Sequence, residues 1–464
     1  MSPEERYKKL KEYLSAENPV LLDVIDEYEA LDNIGRKIGL LEENETYTSH
    51  ISWWPMISVL GTFSAGKSTF INEYIGKEVQ KSGSQAVDDK FTVICYGGSE
   101  EVTTLPGIAL DADPRFPFYN ISEEINQVDE GEGDRVNQYL QLKTLKSPRT
   151  KGKILIDSPG FDADSQRDGI LRITSHIVEI SDLVLIFFDA RHPEPGAMRD
   201  TLQHLVATTI KHRDANKVLY ILNQIDATSK EDNLEDVIAS WQRALSNEGL
   251  ISGNFYSIYN ESAANDAGGE VLDRLKEKKN ADMQRIVERM DKVSIERAYR
   301  IIKSVEGFAK EIKEKQLPKL HEALRAWRRN VLWSDAAVLG LILVLFGLLQ
   351  SQFDLLSSAV GSLVFGGIAL VILLAAHAKV QSFFAHKAAK SWEEKDPAIS
   401  NAILHNAGWW RALLGFGPAW QKTSKKKLDT LSAKSKKIIQ KLNDQFVSTA
   451  TAADEPHDEE LQQQ

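Results

Sequence analysis

A single cysteine, Cys95, serves all 464 residues. That excludes a disulfide framework and a cysteine-built metal site, and it fits a reducing compartment. Basic residues are also in short supply: 56 Lys and Arg stand against 67 Asp and Glu, a formal net charge of −11. Nucleic acid as the main partner calls for a net basic surface, so that class is excluded. The first residues, "MSPEERYKKLKEYL", lack the apolar core of a cleaved signal peptide. The N-terminal half is therefore expected in the cytosol. No internal repeat is visible.

What is present divides the chain by texture. Residues 1–50 place Tyr7, Leu10, Leu14, Leu21, Ile25, Tyr28, Leu31, Ile34 and Ile38 at helical spacing. They read as amphipathic helices broken near Asn18-Pro19. From about Ser52 to Glu261, short β-rich runs alternate with helical ones, the mark of an α/β domain with a mainly parallel sheet. Amphipathic helix returns from Met283 to Trp327. The last residues, "ADEPHDEELQQQ", form a polar acidic tail expected to be disordered.

The stretch "VLGTFSAGKSTFINEYIG", Val59 to Gly76, contains G-x-x-x-x-G-K-S between a short apolar strand and a helix expected to stop at Gly76. Its residues are Gly61, Thr62, Phe63, Ser64, Ala65, Gly66, Lys67 and Ser68, followed by Thr69. Glycines let the backbone aim consecutive N–H groups at phosphate oxygens. The helix N-terminus adds a positive dipole end, Lys67 a mobile cation and Ser68 an oxygen for Mg²⁺. Gly61, Ser64, Ala65, Gly66, Lys67, Ser68 and Thr69 are thus the expected phosphate-binding set.

Downstream, "GKILIDSPGFD" is a strand ending in Asp157 and followed by Gly160. Asp157 is expected to hold the Mg²⁺ water shell, pairing with Ser68 at the metal, and the Gly160 N–H to sense the γ-phosphate. "SDLVLIFFDAR" is another buried strand, and "KVLYILNQID" ends in Asn223-Gln224-Ile225-Asp226. N-x-x-D at a strand end is where P-loop GTPases read the base. A carboxylate accepts two guanine N–H groups that adenine does not offer, which makes Asp226 the candidate for guanine choice.

On these residues, and on "DDKFTVICYG", "LPGIALDADPRFPF" (Leu105 to Phe118) and "LVLIFFDARHPEP", the chain resembles the dynamin superfamily. Within it, the similarity is to the EHD family of membrane-remodelling ATPases, over roughly residues 50 to 260. The resemblance implies a P-loop NTPase, Ras-like core flanked by helices from both sides of the sequence, with Mg²⁺ as cofactor. EHD proteins bind ATP while keeping an N-x-x-D motif, whereas Asp226 favours guanine. GTP is the preferred substrate and ATP stays open. Three positions depart from the family pattern. The switch threonine aligns with Val87 and Asp88, leaving Thr92 as the nearest hydroxyl. Thr62 stands where dynamins often carry a water-orienting residue, and Gln224 replaces the lysine that stacks on the base. Lys67, Thr62 and Thr92 are the catalytic candidates.

Two apolar runs follow, Val331 to Gln350 and Leu355 to Ala378, joined by "SQFD". They read as a transmembrane hairpin crossing ~30 Å of hydrocarbon; a buried hairpin in a soluble stalk is the alternative. Arg325, Arg328 and Arg329 precede the first run, Lys379, Lys387 and Lys390 follow the second, and the linker has neither residue. The positive-inside rule then predicts an integral membrane protein with both termini cytosolic. Trp409, Trp410, Leu413, Leu414, Phe416 and Trp420 suggest a segment lying in the interface. A basic helix follows, with Leu428, Leu431, Ile438, Leu442 and Phe446 as its stripe, able to pair with the 283–327 helix.

The expected organisation is helices over 1–50 packing on the next domain or the stalk, a dynamin-type G domain over 51–280, and a helical stalk over 281–330. The hairpin covers 331–378, interfacial and basic helices 379–448, and the tail 449–464. This order also resembles mitofusins and atlastins. It implies self-association through G domains and a lipid bilayer as partner, with no nucleic acid.

Overall fold

A computed structural model describes residues 2–81, 90–110, 113, 115–116, 136–160, 167–191, 217–228, 233–247, 250, 253–261, 270–353, 359–415 and 418–453. The chain divides into two compact units. One holds Lys8–Pro19 and Ser49–Arg300, the other Ser2–Tyr7, Val20–Thr48 and Ile301–Gln464.

The first unit is built on an eight-stranded sheet in the order β3-β4-β2-β5-β1-β6-β7-β8. The strands are β1 Met56–Gly61, β2 Phe91–Tyr96, β3 Thr103–Pro106, β4 Leu140–Leu145, β5 Ile154–Asp157, β6 Leu183–Asp189, β7 Val218–Asn223 and β8 Asn254–Ser257. From β5 through β1, β6 and β7 to β8 all pairings are parallel. β2 runs antiparallel to β5, and β3 antiparallel to β4.

Both faces of the parallel strands are apolar because both are covered. Along β6, Leu183, Leu185 and Phe187 join a cluster with Phe70 and Ile71 of α3 (Lys67–Ile75) and with Ile286, Met290 and Val293 of α7 (Glu270–Glu311). The alternate residues Val184, Ile186 and Phe188 join Val178 of α5 (Arg167–Ile180) and Trp241 and Leu245 of α6 (Leu234–Asn247). A single helical turn, α4 (Val136–Tyr139), precedes β4.

Two buried polar clamps set the edges of this unit. Asp182 accepts hydrogen bonds from the Met56 N–H at 3.0 Å and from Arg297 Nε at 3.0 Å, and pairs with Arg300 at 2.7 Å. It thereby fastens α7 to the strands β1 and β6. Arg115 forks onto Asp113, donates to the Tyr96 carbonyl and lies 4.4 Å from the Tyr13 ring centroid, with Glu17 at 3.7 Å. Arg115 thus binds α1 (Pro3–Glu17) through Tyr13 and Glu17.

The second unit is helical. The sequence break at Asn18-Pro19 appears as a 3-10 turn, Pro19–Leu21, before α2 (Leu22–Ile38). Buried Asp32 accepts from the Tyr7 hydroxyl at 2.8 Å and from the Tyr47 N–H at 2.9 Å. Helix α7 runs through a π-turn, Ile312–Gln316, into α8 (Leu317–Phe353), with the Leu317 N–H reaching back to the Ile312 carbonyl. Then come α9 (Ala359–Glu393), α10 (Pro397–Asn406), α11 (Trp409–Leu414) and α12 (Pro418–Ala453). Leu428, Leu431 and Leu442 of α12 are buried. This helix packs on α2, with Lys434 on Glu27 and Lys441 on Asp23, while Lys313 pairs with Asp429.

Helices α8 and α9 are antiparallel neighbours, touching from Trp327–Gln381 to Asp335–His377. The helix α8 continues through Ser351, Gln352 and Phe353, residues that the sequence reading gives to the turn. No glycine or proline stands there to stop it. The stretches Asp273–Leu348 and Gly366–Glu393 are long and apolar enough to cross a membrane, by length and composition. Phe416 and the tail residues 454–464 lie outside the described residues, as do Val87 and Asp88.

Replacing Asp182 by Leu leaves Arg297 charged and largely buried. That variant should lose about 3–5 kcal/mol in urea unfolding. Adding Arg297→Met should recover part of the loss. A single-variant loss below about 1 kcal/mol would remove the clamp from the stability account.

Candidate functional site

Parallel pairing brings the C-terminal ends of β5, β1, β6 and β7 to one edge, in register Val59↔Asp157, Gly61↔Phe187 and Asp189↔Asn223. Chain leaving that edge is where α/β sheets hold ligands. Here it carries every sequence-predicted motif.

The loop after β1 turns tightly into α3. At Gly61 a Cβ would stand 2.7 Å from the Phe187 carbonyl oxygen, so only glycine lets the strand approach. Gly66 has φ +84°, and a Cβ there would meet Asn223 Nδ2 at 2.1 Å. Asn223 uses that space to donate to the Ala65 carbonyl at 2.9 Å. Gln224 donates to the Ser64 carbonyl at 2.6 Å. Ser64 and Gln224 both sit at positive φ, 60° and 64°, the only described non-glycine residues to do so. Strain of roughly 1–3 kcal/mol per such residue persists where surrounding contacts enforce it. The N-x-x-D motif is thus stitched to the phosphate loop at two points. Gly160 approaches from the other side, where a Cβ would lie 2.9 Å from Phe63 Cα.

Lys67 is buried and donates to the carbonyls of Gly61 at 3.0 Å and Thr62 at 3.1 Å. Burial pulls its pKa down to about 8, with the Asp157 charge opposing. Ser68 Oγ stands 3.4 Å from Asp157 Oδ2. A hydroxyl and a carboxylate facing each other beside a helix N-terminus are oxygen donors of the kind Mg²⁺ takes, with phosphate oxygens completing the shell. Among the described residues no cluster of three or more His, Cys, Asp or Glu could hold a metal by itself.

Thr69 lies half-buried in the first turn of α3. Asp226, nearly buried, stands in the 3-10 turn Ile225–Thr228 beyond β7. Its charge helps raise the pKa of Arg191, after the larger effect of Asp189, and that of Tyr259, after burial. Thr92 is brought to the site's border, opposite Asp157 on β2, but its hydroxyl is buried and accepts from Gln141 Nε2 at 2.8 Å. Sequence reasoning missed Gln80 and Lys143. Both are buried, and Gln80 Nε2 donates to Asp157 Oδ2 at 2.6 Å. Neither belongs to a spaced motif, so no local signal marks them.

Residues 57–225 match the model of the Dynamin family, and the α/β unit contains a dynamin-type G domain. Human EH domain-containing protein 1 is 26% identical over 179 residues, 37% of this chain and 31% of the relative. Human EH domain-containing protein 2 is 27% identical over 182 residues, 37% and 30% respectively. The chain spans under a third of the length of these relatives. A solved structure of an oligomerised bacterial dynamin pair, described as a mechanism for long-range sensing and tethering of membranes, aligns at TM-score 0.36 and 15% identity. That alignment covers 89% of this chain and 78% of the other. A variant of Aquifex aeolicus Era bound to GDP and AlF4⁻ aligns at 0.28 and 17%, over 50% and 56%.

A phosphate bound at this loop would need the charged form of Lys67, which fixes the sign of a pH effect. Below about pH 8 the empty site already holds an ammonium; above it, binding must first take up a proton. Triphosphate affinity should be flat up to that pH, then fall by as much as about tenfold per pH unit. Proton uptake should appear in calorimetry across buffers of different ionisation enthalpy. The nucleotide-free chain should gain stability over the same window, because the unfolded lysine titrates near 10.5 and holds more protons there. Lys67→Ala should abolish both binding and the pH step. Unchanged affinity in that variant would remove Lys67 from the site.

Proposed function

We propose that this chain is a membrane-anchored, dynamin-like GTPase that binds Mg-GTP and couples nucleotide-driven association of its G domains to membrane remodelling, tethering or fusion. One observation carries the reading. A chain with a complete phosphate loop also bears two apolar helical stretches that are almost wholly exposed. Leu341, Val344 and Leu348 are each more than 60% exposed, and Leu363 is 77% exposed. Such a surface is far larger than soluble monomers tolerate and favours lipid over a packed stalk core. Asp335, the charge near the start of the first run, has His377 Nδ1 at 2.7 Å, and His377 Nε2 lies 3.1 Å from the Trp409 carbonyl. Ionisable residues at membrane depth are expected to pair in this way.

In this reading the N–H groups from Ser64 to Thr69 cradle the phosphates, and Lys67 leaves its two carbonyls for the β/γ oxygens. Ser68 and Asp157 would hold Mg²⁺, which would supply positive charge beside those oxygens. Asp226 selects guanine. Thr62 is left to orient water. The fixed placement of Asn223 and Gln224 makes a change in the loop felt at the base motif. A second reading, a nucleotide-gated membrane scaffold with little turnover, is favoured by the engagement of the Thr92 hydroxyl with Gln141.

GTP turnover with and without liposomes separates the two, since lipid-stimulated hydrolysis excludes the scaffold. Asp226→Asn should weaken GTP strongly and partly restore xanthosine triphosphate, because a site built for two N–H donors is left mispaired. An ATP-preferring chain indifferent to this change would reverse the base assignment. Leu345→Arg and Val371→Arg should each cost roughly 2.5–3.5 kcal/mol of insertion and shift the protein into the carbonate-soluble fraction. Carbonate release of the unmodified chain would end the anchored reading.

A further inference from the structure

Gln80 is held through both its backbone and its side chain. Its N–H donates to Asn72 Oδ1 at 2.9 Å, and its carbonyl accepts from Asn72 Nδ2 at 2.7 Å. Asn72 lies one turn beyond Ser68 on α3, so the helix that carries Ser68 also fixes the backbone of Gln80. The side chain is 1% exposed. Its Oε1 accepts from Lys143 Nζ at 2.5 Å, and Lys143 also donates to the Val79 carbonyl at 3.0 Å. An ammonium can only donate, so the amide oxygen must face Lys143 and the NH₂ must face away. What it faces is Asp157 Oδ2 at 2.6 Å, the oxygen that Ser68 Oγ also approaches.

We infer that Gln80 is a positioning residue for the metal shell of the nucleotide site, with Lys143 fixing the direction of its amide. This rests on the nucleotide reading given above. Asp157 has two carboxylate oxygens to divide between protein and metal-bound water. An amide N–H held on Oδ2 fixes the carboxylate plane and directs the rest of its accepting capacity to the shell. Lys143 polarises that amide, so a buried cation supports the Asp157 charge through one intervening side chain. Outer partners of metal-site carboxylates typically contribute 10–100-fold in metal affinity. Gln80 therefore acts on metal coupling through Asp157 and not on the phosphate cradle.

The test measures affinity for a fluorescent GTP analogue in Mg²⁺ and in EDTA on the full chain. The parent protein should bind more tightly with Mg²⁺. Gln80→Met, which keeps length and burial, should lose about tenfold of that Mg²⁺-dependent gain while its EDTA affinity stays within about twofold. Lys143→Met should act in the same direction, because the amide is then free to turn. Lys143→Arg, which retains a donor to Gln80, should behave as the parent. Full Mg²⁺ gain in Gln80→Met, or an equal loss with and without the metal, overturns the inference while leaving the nucleotide reading in place. No Mg²⁺ gain in the parent itself overturns both. If Gln80→Met does not fold, the Lys143→Met and Lys143→Arg pair decides: equal Mg²⁺ gains in the two refute the role.

Discussion

The first unit depends on β1 lying between β5 and β6 in parallel, buried on both faces. Midway along β1 the Ser58 hydroxyl meets that of Ser181 at 2.5 Å, and both ends of the strand are put to use. At its start the Met56 N–H meets Asp182, which also holds Arg297 and Arg300. At its finish Gly61 presses on the Phe187 carbonyl, and the chain can leave only as a tight loop. Parallel neighbours bring their own ends to the same edge, so Asp157 and Asn223 arrive without any local instruction to do so. A sheet of alternating direction would have scattered them.

That geometry explains what the sequence could convey. Gly61, Gly66, Lys67, Ser68, Asp157 and Asn223 were readable because phosphate chemistry demands fixed residue types at fixed spacing next to apolar runs. The β6 run "LVLIFF" was readable because a strand covered on both faces needs no polar alternation. Gln80, Lys143 and Asp182 were not readable. Their partners lie far off in the chain, and a buried polar group is chosen by whichever partner the fold delivers. Thr92 shows the opposite case. Sequence proximity suggested a switch hydroxyl, but the strand register places it inside the sheet against Gln141.

In the second unit the apolar runs and the stripe of α12 were visible as periodicity, whereas their partners were not. Asp335 stands out in the sequence as a charge near the start of an apolar run; His377, 42 residues later, has nothing in its neighbourhood to announce a pairing. Nor did helical spacing reveal that α12 would lie along α2, since a leucine stripe specifies an apolar face without naming its neighbour. The lysines of α12 illustrate the same point, with Lys434 and Lys441 resting on acids of α2.

The π-turn at Ile312–Gln316 bears on the numbering of a helix face. Buried positions run Val305, Ala309, Ile312, then Leu317, Leu320, Leu324, Trp327 and Val331. With Ala323 also buried beside Leu324, the other steps along this stripe are three or four residues except the one from Ile312 to Leu317, which is five. An ordinary α-helix would carry that step about 100° out of phase and turn the second half of the stripe away from its packing. The wide turn absorbs the surplus residue, closing its hydrogen bond from Leu317 to Ile312, and the stripe stays on one side. The helix therefore holds a length adjustment that costs no change of face. Removing one residue from the turn would restore regular winding with the same residues inward, whereas removing one a turn away in either direction would rotate everything beyond it. Tolerance to a single-residue deletion is thus confined to one turn of a long helix, and the buried pattern alone says which.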